Sequence, residues 1–162
     1  MAPTTPYTAA LAGRDPIEAI GEVATRIEAI TAAWTPADFE RSYAPGKWNA
    51  RQILTHLAQS ELAFGTRVRM ALTVPGYAAQ SFDQDLWIKH ESGLDGRLAA
   101  NAYLSASRMN RAFFETLSEA DLSTSFSHPE YGSLTVDWIR HQTAGHQLHH
   151  LKQLEEIHRA RG

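Results

Sequence analysis

The chain has 162 residues, a net charge of −3, an apolar fraction of 43% and a charged fraction of 20%, which is typical of one globular domain. It contains no cysteine, so disulfides and thiolate metal sites are excluded, and any metal must be bound by His, Asp, Glu or water. No basic block or stripe occurs, which argues against a nucleic-acid partner.

The N-terminal sequence and the hydropathy indicate where the protein works. Residues 1–16 lack the basic start and apolar core of a signal peptide, and no apolar stretch approaches the roughly 18 residues of a membrane span. We therefore expect a cytoplasmic protein with no membrane partner. A single domain should cover residues 1–162, with a flexible N-terminal segment over residues 1–14.

Four segments carry helical periodicity, and Pro and Gly separate them. The predicted helices cover residues 16–33, 50–72, 96–117 and 135–159. Asp15, Asn49 and Thr135 are suitable N-caps for three of them. Residues 73–94 read as an irregular connection with a short helical turn near residues 85–88, and no segment shows the sustained alternation of a strand. This pattern predicts an all-α fold, an up-down-type four-helix bundle, whose ligands bind between helices.

The last predicted helix carries two histidines at core-facing positions. Of the eight histidines in the chain, five lie between His141 and His158, and His146 and His150 occupy positions where a bundle normally has Leu. Their spacing of four residues places both rings on one face, where they can bind the same ion. The alternative is that both are core histidines satisfied by hydrogen bonds, although each buried imidazole would then need its own partner.

A mononuclear site needs a ligand from another helix. His56 flanks the apolar stripe of the second predicted helix, three residues after Ile53 and one before Leu57, so it can face the bundle interior. His90 and His128 fall in connections, and His149 should point to the flank of the last helix. The spacing alone leaves open a plain half-buried histidine at position 56.

Two stretches resemble the DinB-like superfamily. Residues 46–61, GKWNARQILTHLAQSE, are similar to the start of its second helix, and residues 146–154, HQLHHLKQL, to its last helix. The likeness covers nearly the whole chain and implies a DinB/YfiT-like four-helix bundle. In that family, one histidine of the second helix and a His-x-x-x-His pair of the last helix bind the metal. Carried over, the metal ligands are His56, His146 and His150.

The resemblance also implies a function. Some members look like transferases that use a low-molecular-weight thiol, bacillithiol or mycothiol, and others are described as hydrolases. We therefore expect a divalent metal ion, Zn or Ni with Fe as a further candidate, that activates a thiol or water against a small-molecule substrate. Many members form dimers, so a homodimer is expected. The alternatives are a non-catalytic, metal-binding, dimerising stress-associated protein and a metal-free helical scaffold.

No catalytic residue follows from the sequence. Glu61 lies about 140° around the helix from His56, which favours a solvated face. Asp83 and Asp85 are interpreted as ordinary loop residues, and Gln153 as a candidate to support His150. Further candidates for the pocket wall are Tyr7, Trp34, Trp48, Trp87 and Trp138, and candidates for binding an acidic thiol are Arg51 and Arg108.

Overall fold

The computed structural model describes residues 3–161. Its elements, in chain order, are α1 (Pro6–Leu11), α2 (Pro16–Ala32), α3 (Pro36–Phe39), α4 (Ala50–Thr73), α5 (Gln84–His90), α6 (Gly96–Glu115), α7 (Glu119–Leu122), β1 (Ser125–His128), β2 (Gly132–Thr135) and α8 (Val136–Arg159). The four long helices are α2, α4, α6 and α8, and they match the four that the sequence predicts.

These helices form a four-helix bundle, which confirms the predicted fold class. Helix α2 packs on α6 and α8, and α4 packs on the same two helices. Helices α2 and α4 follow each other along the chain but therefore lie at opposite corners of the bundle. This order differs from the predicted up-down order, in which consecutive helices are neighbours, and the long connections between helices permit it.

The core is built from the apolar stripes of the long helices. Each helix contributes side chains with no exposed surface, among them Val23, Ile53, Ala99 and Ile139. Because the stripes recur at spacings of three and four residues, every long helix presents one continuous face to the bundle axis. Among the helices of residues 3–161, none combines the length and apolar character needed to cross a bilayer.

The shorter elements pack against several of the long helices. Strands β1 and β2 form an antiparallel hairpin in which Phe126 faces Leu134. Helix α1 packs on α8, and Leu11 at its end is 2% exposed. The hairpin differs from the sequence-based expectation, which had no strand. Helix α1 lies within the segment over residues 1–14, whose flexibility stays a prediction. Residues 1 and 2 of that segment lie outside the described residues.

Candidate metal centre

Three imidazole rings meet in the core of the bundle between α4 and α8. Nε2 of His146 lies 2.9 Å from Nε2 of His56 and 3.2 Å from Nε2 of His150. One ring nitrogen from each residue lies within 4.8 Å of the other two. His56, His146 and His150 are only 3%, 4% and 5% exposed, respectively. The structure thus brings together the three residues that the sequence identifies as candidate ligands.

Ordinary helix packing positions these rings. His56 stands between Ile53 and Leu57, which have no exposed surface, so its side of α4 faces the bundle interior. On α8, His146 and His150 are one turn apart and project from the same face, with ring centroids 4.5 Å apart. Three residues from two packed helices therefore point at one location without any irregular backbone.

The donor set fits a divalent transition-metal ion. With metal–nitrogen bonds of about 2.0–2.1 Å, two ligand nitrogens lie about 3.3 Å apart in a tetrahedral site and about 3.0 Å apart in an octahedral one. The observed separations of 2.9 Å and 3.2 Å are close to both values. Three imidazoles favour zinc, nickel, copper or iron over magnesium or calcium, which prefer oxygen ligands.

Hydrogen bonds within the protein do not satisfy all three Nε2 atoms that meet at the centre of the cluster. Burial lowers the pKa of His56 to about 4 and that of His150 to about 3. Burial, followed by the neighbouring imidazoles, holds the pKa of His146 well below its usual value. The rings are therefore neutral at pH 7, which is the form that binds a metal. Because Nε2 of a neutral imidazole either donates or accepts, His146 can make a good hydrogen bond to only one of its two neighbours.

Gln153 orients one of the rings. Nδ1 of His150 donates to Oε1 of Gln153 over 2.7 Å, and Nε2 of Gln153 donates to the Tyr43 hydroxyl over 3.2 Å. This pair of bonds assigns the His150 proton to Nδ1 and leaves the lone pair of Nε2 directed at the other two histidines. The contact that the sequence suggested between Gln153 and the site is present.

Aromatic side chains enclose the three rings. Trp48 stacks on His150 with ring centroids 6.4 Å apart and lies against His56 at 5.1 Å. Tyr7 of α1 presents its ring edge-on to His146 at 4.9 Å. These contacts restrict the rotamers of the imidazoles and separate them from bulk water, which strengthens electrostatic interactions within the site.

Two cavities reach the histidines from different sides. The first has a volume of about 190 Å³ and is lined by His56 and His146. The second has a volume of about 300 Å³ and is lined by His150. Tyr7 and Gln84 line both cavities and lie between them. The three histidines are thus divided between the walls of two cavities.

Comparison with known proteins identifies the family. A sequence model of a protein family, described as the DinB superfamily, matches residues 19–154, which is most of the chain. The chain belongs to the DinB superfamily. The DinB-superfamily assignment agrees with the sequence resemblance and with the three-histidine cluster between the second and the last long helix.

Relatives of this DinB-superfamily chain carry names that refer to metal dependence. It is 23% identical over 149 residues to YfiT of Bacillus subtilis, named "Putative metal-dependent hydrolase YfiT", which covers 90% of this chain and 84% of the relative. It is 27% identical over 131 residues to a protein of Oceanobacillus iheyensis whose name likewise begins "Putative metal-dependent hydrolase". That match covers 73% of this chain and 69% of the relative.

Solved structures share the fold. The structure of YfiT from Bacillus subtilis, described as having "an unusual four-helix bundle topology", superposes with a TM-score of 0.80 at 23% identity and covers 91% of this chain and 86% of that chain. The mycothiol-dependent maleylpyruvate isomerase superposes with a TM-score of 0.72 at 13% identity. It covers 86% of this chain and 59% of that chain. The fold found here is thus shared with these solved structures.

Glu61 lies in the core, so the prediction of a solvated face was wrong. It is 2% exposed, and its oxygens accept from Nε2 of Gln147 over 2.6 Å and from Nδ2 of Asn110 over 2.9 Å. Burial raises the pKa of Glu61 to about 7, although both amide hydrogen bonds oppose that rise. Gln147 accepts from the Tyr103 hydroxyl over 3.1 Å, and Asn110 from Nη1 of Arg69 over 3.0 Å. The error arose because α6 and α8 both pack on α4 and together cover the side of α4 that carries Glu61.

The other acidic and basic candidates lie away from the histidines. Asp83 caps α5 by accepting from two backbone N–H groups, and Asp85 is exposed in the first turn of that helix. Both therefore have ordinary structural positions in the connection, as the sequence suggested. Arg51 and Arg108 each form an ion pair with a glutamate. Neither arginine lines the two cavities beside the site.

The aromatic candidates divide into two groups. Tyr7, Trp48 and Trp138 line the cavities beside the histidines, as proposed for a pocket wall. Trp34 is 4% exposed and belongs to the core, and Trp87 packs on Phe82 near the surface with ring centroids 4.6 Å apart. Three of the five predicted wall residues therefore contribute to the site.

Among the residues of the first cavity that sequence reasoning missed are an arginine and a histidine. Arg67 of α4 and His128 of β1 both line it, and they are 8% and 6% exposed. Arg67 follows His56 by eleven residues, or about three helical turns, so its place on the same face could have been found from helical periodicity. His128 lies in the hairpin, and the sequence shows no sustained alternation of apolar and polar residues from which that hairpin could be predicted.

Proposed function

We propose that this protein binds a divalent metal ion through His56, His146 and His150 and uses it to activate a thiol or water against a small electrophile. The observation that carries the proposal is the meeting of three buried, neutral imidazole nitrogens beside a cavity. A bound ion supplies Lewis acidity, which lowers the pKa of a thiol or water that it binds.

The side chains around the site would bind and orient the reactants. Gln153 holds the ring of His150, and the rings of Trp48 and Tyr7 exclude water from the imidazoles. The first cavity, at about 190 Å³, is smaller than the roughly 300–1,000 Å³ of pockets for drug-sized ligands. A small substrate is therefore favoured.

The names of the relatives support both water and a thiol as the group that the metal activates. Two of them are named for metal-dependent hydrolysis, for which water is the nucleophile. A structural neighbour is a mycothiol-dependent isomerase, which favours a low-molecular-weight thiol as co-substrate. Zinc and nickel are the metals we propose first, with iron as the third candidate. A cytoplasmic homodimer stays a prediction.

Metal content is the first test. Protein purified without an affinity tag, from cells supplied with zinc or nickel, should retain about one ion per chain. His146→Ala should lose it, whereas His141→Ala should retain it. His141 provides a matched control because it lies on α8 but bonds to the backbone oxygen of Asp137 instead of the site. Equal metal content in wild type and His146→Ala would reject the proposed ligands.

Turnover then separates the proposed enzyme from the second candidate, a non-catalytic metal-binding dimer associated with stress. That candidate is favoured by the scarcity of acid–base groups, since Glu130 is the only carboxylate among the described residues of the first cavity. Each metal form should be assayed for thiol transfer to a generic electrophile and for ester and amide hydrolysis. Retained metal without turnover in any assay would favour the second candidate.

A further inference from the structure

Arg67 is a buried cation in the wall of the cavity beside the three histidines. It is 8% exposed, and it shares the lining of that cavity with His56 and His146. Along α4 it follows His56 by eleven residues, which corresponds to a rise of about 16 Å on nearly the same face. The cavity thus has the three-histidine cluster toward one end and a guanidinium toward the other.

No carboxylate of residues 3–161 forms a direct ion pair with this guanidinium, although Glu130 lines the same cavity and its charge raises the pKa of Arg67 against the effect of burial. Within residues 3–161, Arg67 forms no ion pair, and its side-chain hydrogen bond runs from Nη2 to the backbone oxygen of Gln80 over 2.6 Å. The rings of Phe64 and Phe82 flank it, each with a centroid 5.8 Å from Cζ. A guanidinium carries five N–H donors. Several donors of a fixed, positively charged group are therefore available to a ligand in the cavity.

His128 adds a neutral donor to the same wall. It is 6% exposed, and its Nδ1 accepts from the backbone N–H of Glu130 over 3.2 Å, which assigns the ring proton to Nε2. Burial, followed by the charge of Arg67, lowers the pKa of His128, so the ring is uncharged at pH 7. Glu130 itself is exposed and accepts from the hydroxyl of Ser81.

We propose that Arg67, with His128, binds the carboxylate of a small carboxylic acid whose electrophilic group faces the three histidines. This inference rests on the proposed function and names the class of its substrate. A carboxylate is favoured over a phosphate because Arg67 is the only cationic side chain among the described residues that line the cavity. One planar guanidinium matches the single charge and the two oxygens of a carboxylate.

The test compares an acid with its neutral amide. Succinate, succinamide and inorganic phosphate should be titrated into the protein as purified, with binding followed by calorimetry and metal content measured on the same samples. Wild type should bind succinate more tightly than either of the other two. Arg67→Met should lose at least about tenfold in succinate affinity, because a hydrogen bond to a charged group contributes that much. The metal content of this variant should not change.

Arg108→Met is the matched control, because it removes the same charge from an exposed residue of α6 that pairs with Glu28. It should bind succinate like wild type. If Arg67→Met does not fold, Arg67→Lys provides the readout, since lysine keeps the charge but loses the planar fork. Its succinate affinity should fall, and an unchanged affinity would overturn the proposal.

The remaining outcomes separate this inference from the proposed function. Equal binding of succinate and succinamide by wild type, or equal succinate binding by wild type and Arg67→Met, would overturn the carboxylate site even if the metal is retained. Phosphate binding tighter than succinate binding would overturn the assignment to a carboxylic acid. If wild type holds no metal but binds succinate through Arg67, the proposed function fails while the anion site stands.

Discussion

Replacing Glu61 with Gln should remove a pH-dependent loss of stability. Burial raises the pKa of Glu61 from 4.5 to about 7, so the folded protein holds this proton more tightly than the unfolded chain. The contribution of the neutral carboxyl to stability is complete below pH 4.5, is lost as the pH rises toward 7, and does not change further above that. At 1.36 kcal/mol per pH unit, the loss amounts to about 3 kcal/mol.

Urea unfolding of wild type and Glu61→Gln from about pH 5 to about pH 8 measures this effect. The free energy of unfolding of the variant, relative to wild type, should rise by about 2 kcal/mol over that range and then level off near pH 7. The buried histidines also titrate, but they are common to both proteins and cancel in the difference. Glu91→Gln, at an exposed position, is the control and should show no such slope.

Only the pH dependence of the difference in unfolding free energy tests the pKa of Glu61, whereas a difference that is constant with pH does not. The amide of Gln at position 61 would meet the amide donors of Asn110 and Gln147, which adds a cost at every pH. A difference that does not vary with pH would refute the reasoning. It would mean that the two amides keep the carboxylate ionised, helped by Arg69, whose guanidinium polarises Asn110 over 3.0 Å.

Three further substitutions address the metal site and its support. His146→Leu should leave the metal-free protein as stable as wild type or more so, because it removes a poorly satisfied buried imidazole. With free metal at one hundred times its Kd, wild type alone should gain about 2.7 kcal/mol in unfolding experiments. If His146→Leu changes the free energy of unfolding equally with and without a chelator, the proposed metal site would be contradicted. Gln153→Ala should weaken metal binding about 10- to 100-fold in competition with a chromophoric chelator, because His150 loses its orienting partner; an unchanged affinity would count against that role. Gly145→Ala should lower the melting temperature and the stability by about 1–3 kcal/mol, since its Cβ would lie 2.0 Å from the backbone oxygen of Tyr7. A melting temperature at or above that of wild type would show that α1 adjusts freely.

Local signals allowed the starts of the long helices to be predicted. Asp15, Asn49 and Thr135 each accept hydrogen bonds from backbone N–H groups in the first turn, as the sequence indicates. A short polar side chain at the N-cap satisfies donors that the helix itself leaves free. These helix starts therefore depend on adjacent residues and need no knowledge of the rest of the fold.

Elements that depend on distant contacts were not predictable in this way. Strand β1 has only four residues, too few for an alternating pattern to be distinguished from chance. The place of α1 depends on Gly145, whose missing side chain lets the backbone of Tyr7 lie against α8. Neither the hairpin nor this close approach leaves a periodic pattern in the sequence.

The candidate site was predictable in part for the same reason. His146 and His150 share a face because of their spacing alone, and that face was readable from neighbouring apolar residues. The identification of His56 as their partner needed the family resemblance, because the order of helices around the bundle cannot be derived from the apolar pattern. Glu61 was misjudged because the angle from His56 gives the side of α4 but not the helix that covers that side.

Adjacent positions on α8 serve two separate polar sites. His146 faces the first cavity, while Gln147, about 100° further around the helix, bonds to Glu61 of α4 and to Tyr103 of α6. A rotation of α8 that broke the hydrogen bonds of Gln147 would also turn His146 away from His56. We infer that the network around Glu61 sets the rotation of α8 and thereby points the histidine pair at its partner. Hydrogen bonds are directional, whereas apolar contacts are not, so a polar residue at position 147 restricts the rotation of α8 more than an apolar residue would.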